Sequence, residues 1–154
     1  MRLFILKPEV AGGFGDDSVI IRENGIIKEI THLHYEFEGW LGDDLLKGPG
    51  IIVTRALADA MVNSDLNGYN LKDVQVSSTD MFKEMYPGRE LPEFRWLVPL
   101  GEIDVDTVNR TKIVGWSGHD ICLIKKVRFA VSEKALELFK KFKIEQCEIL
   151  ELSF

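Results

Sequence analysis

Residues 51–61, IIVTRALADAM, and residues 129–139, FAVSEKALELF, repeat one pattern 78 positions apart. In each stretch, three apolar residues typical of a buried strand precede a threonine or a serine, and these hydroxyl residues are preferred at the N-cap of an α-helix. The residues that follow place apolar side chains on one helix face. They are Leu57, Ala60 and Met61 in the first copy, and Ala135, Leu138, Phe139 and Phe142 in the second. The repeat therefore predicts two strand–helix units.

An alternating strand is expected to close each unit. The first closing strand is predicted at Leu71–Ser77 and the second at Cys147–Ser153, an offset of 76 positions. We therefore expect two βαβ-like units, at residues 51–77 and 129–153. Because the connections are short, the two strands of a unit are either neighbours in a right-handed crossover or separated by another strand.

The N-terminal third is expected to contain an antiparallel hairpin. Asn24-Gly25 lies between the apolar runs 19–22 and 26–30, and this dipeptide favours a tight turn because both residues tolerate positive φ. Thr31–Trp40 then alternates polar and apolar residues, which predicts a half-buried strand. Leu33, Tyr35 and Phe37 are expected to face inward, and His32, His34, Glu36 and Glu38 outward. Two segments are expected to be loops, glycine-rich residues 10–17 and acidic residues 102–110.

Together these elements predict an α+β fold. We expect a single domain over residues 1–154, with a mixed sheet built from the two repeated βαβ-like units and an N-terminal antiparallel hairpin section. The predicted core consists of Leu57, Met61, Val74, Val76, Val131, Leu138, Phe139, Phe142, Leu150 and Leu152.

The composition is that of an ordinary globular protein. Of the 154 residues, 45% are hydrophobic and 29% are charged. No window reaches the about 18 consecutive apolar residues that a membrane span requires, and the N-terminal apolar run of four residues is too short for a signal peptide. We therefore expect a cytoplasmic protein in which Cys122 and Cys147 are reduced thiols.

The negative charge is concentrated at the front of the chain. Residues 1–50 contain nine acids and five bases, which accounts for −4 of the total net charge of −6. Nucleic acids and anionic membranes are disfavoured as partners, because phosphate binding requires clustered lysine and arginine. A basic protein partner is compatible with this distribution.

His32, His34 and Glu38 are the candidate metal ligands. Residues two apart on a strand share a face, so the two imidazoles and the carboxylate would line up and could hold a transition metal. A metal-binding protein or metal-dependent enzyme is therefore the alternative hypothesis. A solvated polar strand face would give the same pattern, and we expect no cofactor.

The candidate partner-binding residues surround a glycine-rich turn. Trp40 lies between two glycines and is followed by Asp43 and Asp44, while Glu36 and Glu38 precede it. An exposed tryptophan surrounded by acids has the chemistry of an interface anchor for a basic partner. The alternative interpretation is that Trp40 covers the edge of the core.

The doubled unit resembles the immunity proteins of bacterial polymorphic toxin systems, in a group long known only as a domain of unknown function. The resembling residues are Leu33–Leu46, Val53-Thr54, Leu66–Tyr69 and Val74–Val76 in the first half, and Phe129–Leu136, Ile144 and Cys147–Leu152 in the second. The resemblance implies a cytoplasmic, non-enzymatic inhibitor that binds and blocks a cognate toxin domain. It carries over no catalytic residues.

Overall fold

The computed structural model describes residues 1–154, of which 14% are helical and 47% are in strands. The helices are α1 (Arg55–Val62), α2 (Asp80–Met85) and α3 (Glu133–Phe139). The strands are β1 (Leu3–Lys7), β2 (Glu9–Val10), β3 (Gly12–Phe14), β4 (Val19–Glu23), β5 (Ile26–His32), β6 (His34–Phe37), β7 (Leu45–Lys47), β8 (Ile51–Thr54), β9 (Tyr69–Asp73), β10 (Gln75–Ser78), β11 (Phe94–Pro99), β12 (Gly101–Val105), β13 (Ile113–Trp116), β14 (Ile121–Ile124), β15 (Arg128–Ser132) and β16 (Glu148–Glu151).

The strands form four sheets. The largest has six strands in the order β13-β12-β14-β15-β1-β16, and the next has five in the order β2-β7-β8-β11-β9. A three-stranded sheet has the order β10-β6-β3, and β4 pairs only with β5. Parallel and antiparallel pairs occur together, as expected for a mixed arrangement.

Both predicted units are present, and in each of them another strand separates the two parallel strands. The first unit is β8-α1-β9 with antiparallel β11 between its strands, and the second is β15-α3-β16 with antiparallel β1 between them. Arg95 of β11 pairs with Val53 and Asp73, while Phe4 of β1 pairs with Val131 and Glu151. The equivalent residues Val53 and Val131 are 78 positions apart, and so are Asp73 and Glu151. The predicted offset of 76 for the closing strands is therefore wrong.

The correspondence extends beyond the units. In the first half, β8 pairs with antiparallel β7, which pairs with parallel β2. In the second half, β15 pairs with antiparallel β14, which pairs with parallel β12. Five neighbouring strands of each sheet therefore have the same relative directions: β2-β7-β8-β11-β9 in one and β12-β14-β15-β1-β16 in the other. The two sets differ in chain order, because β11 follows its unit and β1 precedes its own.

The helices form where the sequence predicts them. The Thr54 hydroxyl accepts a hydrogen bond from the Leu57 N–H at 3.5 Å, and the Ser132 hydroxyl accepts one from Ala135 at 3.2 Å. The buried faces correspond at the same offset: Leu57, Ala58 and Met61 in α1, and Ala135, Leu136 and Phe139 in α3. Both faces contribute to one cluster of 15 buried residues. No helix is long and apolar enough to cross a membrane.

Part of the predicted core is correct. Leu57, Met61, Val131, Phe139 and Leu152 are buried, and the half-buried Leu138 and Phe142 pack against the shared cluster. The prediction is wrong for Leu150, which is 43% exposed because β16 is an edge strand whose four residues are all exposed.

Val74 and Val76 were expected in the strand that closes the first unit, and this is also wrong. That strand, β9, ends at Asp73. Val76 lies in β10, which pairs with β6 of the three-stranded sheet, and both valines pack half-buried against a separate core cluster. The alternation therefore spans two strands of different sheets.

Two segments expected to be loops contain strands. Residues 101–105 form β12, with Gly101, Ile103 and Val105 buried and the acids between them exposed. The glycine-rich segment contains β2 and β3, and Gly12 closely approaches the Glu36 carbonyl across the β3–β6 pair. The Asn24-Gly25 hairpin is confirmed, with φ of 54° and 79° at the turn.

Replacing Phe139 with alanine tests the shared core. This side chain is 0% exposed, so Phe139→Ala is expected to lower the free energy of unfolding by about 3–5 kcal/mol in urea melts. Leu150→Ala, on the exposed edge strand β16, serves as the control and should cost less than about 1 kcal/mol. Equal losses in the two variants would contradict the assigned helix face.

Candidate functional site

Two tryptophan-containing turns have the same sequence pattern and the same geometry. Residues 40–44, WLGDD, and residues 116–120, WSGHD, both read W-x-G-x-D. The Trp40 indole N–H donates to the carbonyl of Asp43 at 3.0 Å, and that of Trp116 donates to His119 at 2.9 Å. The central glycine of each turn has a positive φ, 106° in the first and 87° in the second, which glycine adopts without steric cost.

The last aspartate of each turn joins the two halves. Asp44 accepts the Thr54 hydroxyl at 2.8 Å and the backbone N–H of Lys143 at 2.8 Å. Asp120 accepts the Ser132 hydroxyl at 2.7 Å and the backbone N–H of Asn67 at 3.1 Å. Each carboxylate thus connects the helix cap of its own unit to the loop that follows the helix of the other unit. We call this pair of connections the reciprocal clasp.

Asp43 also has partners within the chain. Its side chain is 0% exposed and accepts the backbone N–H groups of Glu145 at 3.2 Å and Gln146 at 2.8 Å. The expected direct contact between Asp43 and a partner protein therefore does not fit this fold. Asp44 is half-buried with both oxygens in the clasp. These carboxylates serve backbone donors that would otherwise lack partners.

Trp40 covers the edge of the core, which is the alternative interpretation of its sequence context. Its ring meets Phe94 edge to face, with centroids 6.0 Å apart, and the Arg89 guanidinium lies 4.6 Å from its centroid. Arg89 also donates to the Trp40 carbonyl at 2.8 Å. The repeated W-x-G-x-D pattern, 76 positions apart, is the sequence signal that could have identified these turns as structural.

Glu36 and Glu38 differ from these residues because neither forms an ion pair within the chain. Glu36 is half-buried on β6 and Glu38 is exposed just beyond it. Of the five predicted partner-binding residues, these two keep carboxylates without an internal partner, and their binding role stays a prediction.

The hairpin β4–β5 exposes an unusual amount of apolar side chain. Val19, Ile21, Ile26 and Ile27 are 40–73% exposed. No side chain between residues 16 and 32 is buried, and neither strand pairs outside the hairpin. Exposed apolar side chains that cluster on a surface can mark a protein-interaction site.

His34 was expected to face solvent and is instead buried, with 6% exposure. The turn at residues 15–18 covers it, and the prediction is wrong because alternation along a strand does not reveal what packs on the outer face. Its Nδ1 accepts the Asp17 backbone N–H at 3.2 Å, and its Nε2 lies 2.7 Å from the Ser77 hydroxyl. Both ring nitrogens therefore have partners within the chain.

The predicted metal ligands do not form a common site. His32 Nε2 lies 2.8 Å from the Gln75 side-chain oxygen, while both ring nitrogens of His34 have other partners. No group of three or more His, Cys, Asp or Glu side chains in residues 1–154 is arranged to hold a metal ion. The metal hypothesis stays a prediction that no observed contact favours.

The two cysteines do not form a disulfide, and each is at least half-buried. Burial raises the pKa of the Cys122 thiol above its ordinary value and that of Cys147 to about 11. Both side chains are therefore thiols at neutral pH, and the thiolate is the form that reacts.

Glu9 has an incompletely paired carboxylate beside the first tryptophan turn. One oxygen accepts the Leu41 N–H at 2.9 Å, whereas the other is buried without a partner. Burial is the main cause that raises the pKa of this group above its ordinary value, with a further contribution from the nearby Asp43 carboxylate.

The sequence matches no protein-family model, and no curated protein matches it.

Gly15→Ala is expected to be strongly destabilising. Gly15 lies directly against the His34 ring, and an added Cβ would overlap the imidazole, so we expect a loss of at least about 2 kcal/mol in the free energy of unfolding. Gly13→Ala is the matched control, because a Cβ there meets nothing within 4 Å. A loss of similar size in the control would show that strand glycine itself, rather than the His34 contact, is required.

Glu9→Gln should stabilise the protein in a pH-dependent way. A raised pKa in the folded state means that the protonated carboxyl favours folding below the ordinary value of 4.5, and that this contribution is lost as the pH rises through the raised value. Glutamine keeps the acceptor for Leu41 without the buried charge. The Tm of the variant should exceed that of the wild type at pH 7 and approach it at pH 4. Glu38→Gln, which removes the same charge from an exposed position, is the control for the change in net charge. A constant difference at both pH values would contradict this account.

Proposed function

We propose that this protein is a non-enzymatic inhibitor that neutralises a bacterial toxin by binding and blocking a cognate toxin domain. The observation that carries the proposal is the exposed aliphatic surface of the hairpin β4–β5. The resemblance of the doubled unit to immunity proteins supports the same function.

The hairpin is not needed to complete the core. Within it only Ile30 packs, half-buried, against one of the three core clusters. A hairpin of two strands is marginally stable in water and gains stability when a further surface or strand packs against it. Exposed aliphatic side chains on such an element are suited to contact with another protein.

The charges around the hairpin define the chemistry of the partner. Residues 14–38 contain six carboxylates and two cationic side chains, and Lys28 is paired with Glu23. The surplus of acids favours a basic surface on the toxin, accelerates encounter and makes association sensitive to salt. A toxin that acts on an anionic substrate presents such a surface, and the hairpin would block it by occupying it.

Within this proposal, the predicted partner-binding residues have two roles. Glu36 and Glu38 contribute to the contact surface next to the hairpin. Trp40, Asp43 and Asp44 support that surface indirectly, because their polar groups hold the turn that follows β6.

Co-expression tests the function directly. The protein would be expressed in bacteria together with the C-terminal domain encoded immediately upstream of its gene, and growth would be measured with and without it. We expect growth arrest by that domain alone, rescue by this protein and a complex that co-purifies. Toxicity without rescue, or a domain without toxicity, would overturn the proposed function.

Paired variants then locate the interface. Ile21→Ser combined with Ile26→Ser should weaken toxin binding at least about tenfold, because both side chains are exposed and contribute nothing to the core. Glu36→Gln combined with Glu38→Gln should slow association and reduce its salt dependence. Val108→Ser is the control, since this side chain is 91% exposed on a different loop. Full affinity in both test variants would place the interface elsewhere without affecting the proposed function.

A further inference from the structure

We propose that the β14–β15 turn and the neighbouring Arg110 form a binding site for a small phosphate monoester. This site lies on the six-stranded sheet, whereas the hairpin β4–β5 forms a separate sheet, so the inference is independent of the toxin-binding proposal.

A small concavity of about 180 Å³ next to the turn is lined by three cations and no acid. The cations are Arg110, Lys125 and Arg128, and the remaining lining residues are the aliphatic Val105, Ile124 and Val127. None of the three cationic groups forms an ion pair or a side-chain hydrogen bond within the chain, whose net charge is −6. Guanidinium groups bind phosphate through paired hydrogen bonds, and an apolar wall strengthens the attraction.

The backbone of the turn is strained in a way that presents the lysines. Lys125 and Lys126 have φ of 52° and 60°, a conformation that residues with a side chain rarely adopt. The turn of β4–β5 also has positive φ at both central positions, but it is built from Asn24-Gly25, the preferred dipeptide. Residues in such conformations cluster at functional sites. Of the two lysines, Lys125 lines the smaller concavity, and Lys126 follows it in the turn.

A second concavity shares Lys125 with the first and has a volume of about 470 Å³. It is lined by Lys126, Glu102 and Asp104 together with apolar and backbone groups of residues 99–103. The carboxylates can accept hydrogen bonds from amine or hydroxyl groups. Because Lys125 lines both concavities, we expect a phosphate group bound in the smaller one to direct its polar organic group towards the larger one.

Titration with inorganic phosphate, followed by ¹⁵N NMR at fixed pH and ionic strength, tests the anion site. We expect saturable shifts, with a Kd on the order of millimolar, confined to the amides near residues 101–105, 110 and 124–128. Phosphoethanolamine, which adds an amine to the phosphate, should bind at least about fivefold more tightly than inorganic phosphate. Shifts that do not saturate would overturn the site, and equal affinity for both probes would overturn the role of the larger concavity.

Replacing the residues of the turn distinguishes an effect on phosphate binding from an effect on stability. Lys125→Asn with Lys126→Gly installs the dipeptide of the other hairpin, so it should raise the Tm by about 3 °C while weakening phosphate binding at least tenfold. Arg128→Gln should weaken binding without raising the Tm. Lys140→Gln with Lys141→Gln removes the same charge from exposed positions and should leave binding unchanged. Equal weakening in this control would show only non-specific charge attraction and would overturn the proposal.

Discussion

The reciprocal clasp is the interaction on which the rest of the structure depends. Two aspartates, Asp44 and Asp120, each satisfy a capping hydroxyl in one half and a backbone N–H in the other. The Ser132–Asp120 hydrogen bond is buried, and a buried polar group left without its partner costs about 1–3 kcal/mol. The buried faces of α1 and α3 also pack into one common cluster. Each half therefore anchors the capping aspartate of the other half through a loop N–H group.

This internal dependence explains why residues that look like an interface are structural. Carboxylates next to an aromatic residue are typical of protein contacts and also of turns that collect backbone N–H groups, and Asp43 belongs to the second kind. The surfaces that remain available are an aliphatic, acidic hairpin and a cationic turn, which lie in different sheets. Neither contributes to the clasp. Substitutions at these surfaces are therefore expected to leave the contacts between the two halves undisturbed.

Local chemistry made part of the fold predictable. The caps at Thr54 and Ser132 and the Asn24-Gly25 turn depend on neighbours in sequence, and all are observed. The helix faces were predicted in part, because Ala58 and Leu136 are buried whereas the expected Ala60 and Leu138 are only half-buried. Errors arose where distant contacts decide the outcome. Leu150 is exposed because β16 is an edge strand, and His34 is buried because a turn 16–19 residues earlier covers it. Of the candidate site, Glu36 and Glu38 keep free carboxylates, while Asp43 could be placed only from its partners a hundred positions away.

The first strand of the chain completes the second half of the molecule. In the first half, β11 follows β9 and returns between β8 and β9, whereas in the second half β1 occupies the equivalent place between β15 and β16. The start of β1 lies beside the end of β16, where Arg2 forms an ion pair with Glu151 at 2.8 Å. The elements β2, β7, β8, α1 and β9 of the first half correspond in chain order to β12, β14, β15, α3 and β16 of the second, while β11 and β1 occupy the same place in the two sheets. The strand between the two parallel strands is thus supplied from the C-terminal side of one unit and from the N-terminal side of the other, so an equivalent sheet position is filled from opposite directions along the chain.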